Sequence, residues 1–137
     1  MPYIKITRHK YEEPYHVNLV FEAANETQRT TLKHYCNAND LSDIAENLEV
    51  FPRHKTDVFL YEFGSERKED RYAYYFRMRI FLINATGACA IQTRTNNNKE
   101  LPEKEISEFC ILAEPSQINR LGQLFRTYSK LNHKVLE

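Results

Sequence analysis

Apolar and polar residues alternate along most of this chain, and the period of that alternation predicts its elements. Tyr3 to Thr7 alternates and predicts a short edge strand. Arg8 to Pro14 is charged and ends in proline, which predicts a loop. From Tyr15 to Ala24, Val17, Leu19, Phe21 and Ala23 share one face, and His16, Asn18, Val20 and Glu22 share the other. Asn25-Glu26 marks a turn. Gln28 to Tyr35 fits either a strand returning as a hairpin, favoured by its threonines, or a short helix. The longest pattern is Tyr72 to Ile83, aromatic and β-branched with two arginines at period two. It predicts a long strand, because few other conformations suit so many consecutive rings. Asp57 to Gly64 precedes it as a strand. Ala88 to Thr95 and Glu105 to Ala113 follow, separated by the hairpin loop Asn84–Gly87 and the polar loop Asn96–Lys104.

The period changes to 3.6 in two places. Leu41, Ile44, Ala45 and Leu48 fall at i, i+3, i+4 and i+7, which predicts a helix over Asp40 to Leu48, capped by Asn39 or Asp40 and ended by Pro52. Glu114-Pro115-Ser116 opens a second helix, whose stripe is Ile118, Leu121, Leu124, Phe125, Tyr128 and Leu131. His133 to Glu137 reads as a frayed tail. Consecutive strands with short connections imply an antiparallel meander. Two one-sided helices must bury their stripes on a sheet. The expected architecture is an α+β two-layer sandwich: one mainly antiparallel sheet of five to seven strands with two helices on one face, forming a single domain over residues 1–137.

Composition narrows the function. Nineteen basic residues balance nineteen acidic ones, which argues against a nucleic-acid module. Nine tyrosines and eight phenylalanines, with no tryptophan, suit strands and interfaces. Cys36, Cys89 and Cys110 are odd in number and form no C-x-x-C pair. They are expected as reduced thiols, Cys89 and Cys110 packed in strands as small hydrophobes. That usage, with no apolar signal segment and no stretch approaching the ~20 residues of a membrane span, leads to an expectation of a cytoplasmic protein with no membrane partner.

The candidate chemistry is sparse. His9, His16, His34, His54 and His133 show no metal-binding spacing, and no second pair accompanies His34 and Cys36. Glu22 and Glu62 sit on strands without a visible catalytic partner. The chain has no G-x-S-x-G elbow and only three glycines, too few for a phosphate cradle. Asn96–Glu100 is turn-rich, and Ser65–Arg71, with six charged residues of seven, reads as a solvated turn. No enzyme activity and no cofactor are expected. The long strand stands out. Tyr72, Tyr74, Phe76, Met78, Ile80 and Leu82 should meet the helices, with Phe76, Ile80, Leu121 and Phe125 buried together. Ala73, Tyr75, Arg77, Arg79, Phe81 and Ile83 should face outward. Arg stems can simply cover rings on a solvated face, but Tyr and Arg are also the residues that anchor protein interfaces. Arg94 joins them if the register allows.

Five patterns then occur in a set order: the helix ending Leu48-Glu49-Val50-Phe51-Pro52, the strand Phe59–Glu66, the run Arg71-Tyr72-Ala73-Tyr74-Tyr75, a strand–turn–strand, and a last strand running into Glu114-Pro115. Over roughly residues 16 to 130 this order resembles a group of small, largely uncharacterised bacterial proteins of the immunity or antitoxin-like class that accompany secreted toxins. The resemblance implies a protein partner, a cognate toxin neutralised by occlusion of its active site, and supplies no catalytic residue. The expected partner-binding residues are Tyr75, Arg77, Arg79, Arg94, Tyr61 and Glu62. The alternative is a small enzyme or ligand-binding domain with a pocket between sheet and helices, its polar groups being Tyr61, Glu62 and Arg77.

Overall fold

A computed structural model describes residues 2–9, 16–67, 74–84 and 86–129. Strands β1 (Tyr3–His9), β2 (His16–Ala24) and β3 (Arg29–Asn37) form an antiparallel sheet in that order. Helix α1 (Ala38–Leu48) follows. Strands β4 (Val58–Phe63), β5 (Tyr75–Leu82), β6 (Cys89–Asn96) and β7 (Ile106–Ala113) then form a second antiparallel sheet, a meander in sequence order. Helix α2 (Pro115–Tyr128) ends the described chain.

Asparagines shape the connections. The Asn25 side chain accepts hydrogen bonds from the Thr27 and Gln28 amides between β2 and β3. Asn84 does the same for Thr86 and Ala88 between β5 and β6, where Gly87 takes φ +101°. Between β6 and β7, Asn97 accepts from Lys99 and Glu105.

The N-cap of α1 is Asn37, whose side chain accepts from the Asn39 amide at 3.1 Å. The cap thus lies two residues earlier than Asn39, because β3 runs directly into the helix. At α2 the Gln117 side chain accepts from the Glu114 amide at 2.8 Å, and Pro115 opens the first turn. The ambiguous segment after residue 28 is a strand.

The α+β class and the meander match expectation, but a single sheet does not. Seven strands divide three and four. The reason is α1: it separates β3 from β4, so no hairpin joins them, and the two sheets meet through their inner faces instead. The Phe21 and Phe76 rings lie 5.1 Å apart, and the Thr30 and Thr95 hydroxyls hydrogen-bond at 3.1 Å. One core cluster joins both inner faces to the helix stripes, and Phe76, Ile80, Leu121 and Phe125 are all buried in it. The helices also pack on each other. Gly122 sits so close that a Cβ there would lie 2.8 Å from Leu48 Cβ. Asn119 donates to the carbonyls of Leu48, Glu49 and Phe51, the exposed end of α1. Tyr128 donates to the Ile6 carbonyl at 2.6 Å, and Arg8 donates to the Tyr128 carbonyl at 2.7 Å, fixing α2 to β1.

Of the loop expected over Arg8 to Pro14, Arg8 and His9 instead continue β1, paired with Leu19 and Asn18 of β2. Its remainder, Tyr15, the start of the long strand at Tyr72 and Ala73, Leu131 and the C-terminal tail lie outside the described residues.

Candidate functional site

Strand parity divides the second sheet sharply. Phe59, Phe76, Met78, Ile80, Cys89, Ile91, Phe109 and Ile111 point inward and are buried. The register then arranges the outer face in rows across β4, β5, β6 and β7. The first row is Val58, Phe81, Ala90 and Leu112. The second is Leu60, Arg79, Gln92 and Cys110. The third is Glu62, Arg77, Arg94 and Glu108. The fourth is Tyr75, Asn96 and Ile106. Among the described residues neither helix covers this face: Leu60 is 52% and Leu112 is 69% exposed.

The two halves of the face differ electrostatically. In the third and fourth rows the arginines are neutralised internally. Arg77 donates to Glu108 at 2.6 Å. Arg94 donates to Glu66 at 2.8 Å and reaches Glu108 at 3.5 Å. Asn96 also donates to Glu66, at 2.7 Å. The Arg94 hydrogen bond is the main cause that holds the Glu66 carboxyl below the usual range. Tyr75 donates to Glu62 at 2.6 Å, and burial, then that bond, push its hydroxyl up to about 12. In the first and second rows Arg79 meets no carboxylate in the described structure. It donates weakly to Gln92 at 3.4 Å and lies 4.4 Å from the centre of the Phe81 ring. Exposed Leu60 is its direct partner on β4, exposed Val58 lies one row away on the same strand, and exposed Leu112 lies two strands away on β7.

The face therefore brings together Arg77, Arg79, Arg94 and Glu62 of the expected set. Tyr75 is on it but only 5% exposed, so it is a support rather than a contact. Tyr61 is on the opposite face. Adjacent strand residues point to opposite sides, so Tyr61 cannot share a surface, or line a pocket, with its neighbour Glu62 or with Arg77, which is paired to Glu62. The structure thus places Tyr61 apart from the other residues of the expected set.

Tyr61, half-buried, belongs instead to a cluster between the sheets around buried His34. Its hydroxyl hydrogen-bonds His34 Nε2 at 2.8 Å, and the Tyr74 hydroxyl bonds His34 Nδ1 at 2.7 Å. Tyr74 also accepts from the Tyr35 amide. The rings of Phe63 and Phe76 flank the imidazole. Burial lowers His34 to about 4 and raises Tyr74 to about 12, and it raises Tyr61 as well. Both ring nitrogens are occupied, so His34 is a satisfied core histidine. Cys36 shares its face, and its thiol is pushed up to about 12, mainly by burial. No three His, Cys, Asp or Glu side chains converge on a metal site among the described residues.

Further corrections concern single residues. Cys110 is exposed on the outer face rather than packed as a hydrophobe, whereas Cys89 is buried. Glu66 is not part of a freely solvated turn, because it folds onto Arg94. Glu66 and Glu108 were missed as members of the face; the period-two alternation of β7, which puts Glu108 on the face opposite Phe109 and Ile111, was the signal for Glu108, but the fold-back of Glu66 had none. Glu22 and Glu62 accept from Tyr3 and Tyr75 on separate sheets and do not form a pair. No helix among the described residues is long and apolar enough to cross a membrane. Comparison with protein-family models, curated proteins and solved structures finds no match to this chain.

Proposed function

We propose that this chain is a non-catalytic cytoplasmic binding protein of the immunity or antitoxin-like kind, which neutralises a bacterial toxin by covering its active site with the outer face of the β4–β7 sheet. The observation that carries the reading is the composition of that uncovered face, on which exposed Leu60 lies directly opposite Arg79, Val58 is one row away on β4, and Leu112 stands in that row on β7. Exposed apolar groups gain from being covered, and an arginine without a carboxylate supplies a fork for one on a partner. Stable interfaces bury about 1,600 Å² in total, about half of it on each partner.

The paired arginines have a different role from the one their sequence suggests. Arg77 and Arg94 are held by Glu108 and Glu66, so they keep the face flat and near neutral, and the anchoring falls to Arg79 and the aliphatic rows. The test is co-expression with a toxin encoded beside this chain. Leu60→Asp and Arg79→Glu should abolish protection and complex formation while leaving the fold intact. Full protection by the folded double variant overturns the reading.

A further inference from the structure

A different part of the molecule carries a small-molecule site. β1 is an outer strand of the first sheet and β7 an outer strand of the second, and no ladder joins them. The seam between these two edges holds a cavity of about 330 Å³, closed on one side by α2. This is at the small end of the range typical of ligand pockets.

Its wall is mainly aliphatic, with Tyr3 of β1 at one side. Ile4 comes from β1, Ile91 and Ile111 from the second sheet, and Leu121 and Leu124 from α2. Leu121 and Leu124 lie three apart on α2, with Gln117 one turn before Leu121, so all three share the side of the helix that faces the seam. The charge pattern is one-sided: among the described residues Arg120 is the charged residue of the lining, and no aspartate or glutamate joins it. Arg120 is exposed and has no hydrogen bond or ion pair among the described residues. Gln117 spends its side-chain oxygen on the Glu114 amide, which leaves its amide N–H groups as donors. A dry aliphatic slot with a cation and a neutral donor, and no anion, is complementary to a chain that is apolar at one end and anionic at the other.

We infer that this seam binds a short unbranched carboxylate, its alkyl chain between Ile4, Ile111 and Leu124 and its head on Arg120. The volume sets the length. At roughly 30 Å³ per water-sized group, the cavity admits about ten non-hydrogen atoms, the size of octanoate. A longer chain would project past Leu112 into solvent. The site shares Leu112 with the edge of the sheet face but none of Leu60, Arg79 or Val58, so the Arg120 and Leu124 variants test it separately from the proposed partner interaction.

The experiment is calorimetric titration of the full chain with octanoate, octanol and octylamine, with amide chemical shifts followed by NMR. Octanoate should bind with a dissociation constant on the order of 1 mM or tighter. Octylamine should bind at least about tenfold more weakly, because like charge faces Arg120. Shifts should concentrate at Ile4, Ile111, Leu121 and Leu124. Arg120→Ala should bring octanoate down to the affinity of octanol, a loss of roughly fivefold, and Arg120→Lys should recover part of it. Leu124→Glu, checked for folding by circular dichroism, should abolish binding by placing a carboxylate in the wall. The inference is overturned if octanoate fails to bind at ten times the expected concentration, if octylamine binds as well, if the shifts map elsewhere, or if Arg120→Ala leaves the preference for the carboxylate unchanged.

Discussion

Acidification from about pH 7 to about pH 4 should cost this protein stability chiefly through one residue, His34. In the fold its ring is buried and held neutral between the hydroxyls of Tyr61 and Tyr74, and burial lowers it from 6.5 to about 4. In the unfolded chain it titrates near its ordinary value. Between those two values the unfolded chain binds a proton that the folded chain refuses. The stability due to the neutral ring is therefore complete above about pH 6.5, falls as the pH drops, and is fully lost below about pH 4. Two and a half units at roughly 1.4 kcal/mol each give about 3.5 kcal/mol as an upper bound. Neighbouring groups do not blur this window, since Tyr61, Tyr74 and Cys36 are all shifted upward, away from it. Glu49, Asp57 and Glu66 are lowered below their usual carboxylate values, so they are lost only at the acid end. The assay is urea unfolding at half-unit pH steps for wild type and His34→Gln, which keeps a hydrogen-bonding side chain but does not titrate. The variant should be less stable at neutral pH and much flatter between pH 6.5 and 4. Parallel curves for the two proteins would show that His34 is charged or solvated in the fold, and would refute the reasoning.

Three further outcomes follow from packing. Phe125→Ala should cost about 3–5 kcal/mol by denaturant titration, since the ring is 4% exposed within the shared core. Gly122→Ala should destabilise by about 1–3 kcal/mol, because the new Cβ meets Leu48 Cβ at 2.8 Å and the Glu49 amide nitrogen at 2.9 Å; an unchanged denaturation midpoint would show that the helices separate freely. Asn119→Ala removes the donor shared by three carbonyls at the end of α1 and should lower stability by about 1–3 kcal/mol, with faster amide exchange at Val50 and Phe51.

Most elements of this fold were legible from period alone, because strand and helix faces are printed directly in the residue order. β5 shows this best: the alternation of Phe76, Met78 and Ile80 with Arg77 and Arg79 gave the inner and outer faces correctly, and register then placed Arg94 beside Arg77. What period does not encode is which strand edges meet. Nothing in the sequence of β3 or β4 says that a helix between them leaves the two strands in separate sheets. The same limit explains the misplacement of Tyr61. Its parity with Phe59 and Phe63 marked it as inward, but its polar hydroxyl suggested a surface role until His34, 27 residues earlier, supplied a buried partner. Ion pairing was likewise hidden. Arg77 and Arg94 look available in the sequence, and only the register with β7 and the fold-back of Glu66 show that they are occupied.

The central claim is that the outer face of the β4–β7 sheet meets a protein partner through its aliphatic rows and Arg79. The most direct measurement is the affinity of the purified chain for the product of a toxin gene encoded beside it, compared between Leu60→Asp on that face and Lys33→Asp on β3 of the other sheet. The account predicts that Leu60→Asp weakens the complex by tenfold or more, the effect of about 1.4 kcal/mol, while Lys33→Asp binds as wild type. Equal affinity of the folded Leu60→Asp variant and wild type, or a loss confined to Lys33→Asp, would contradict it.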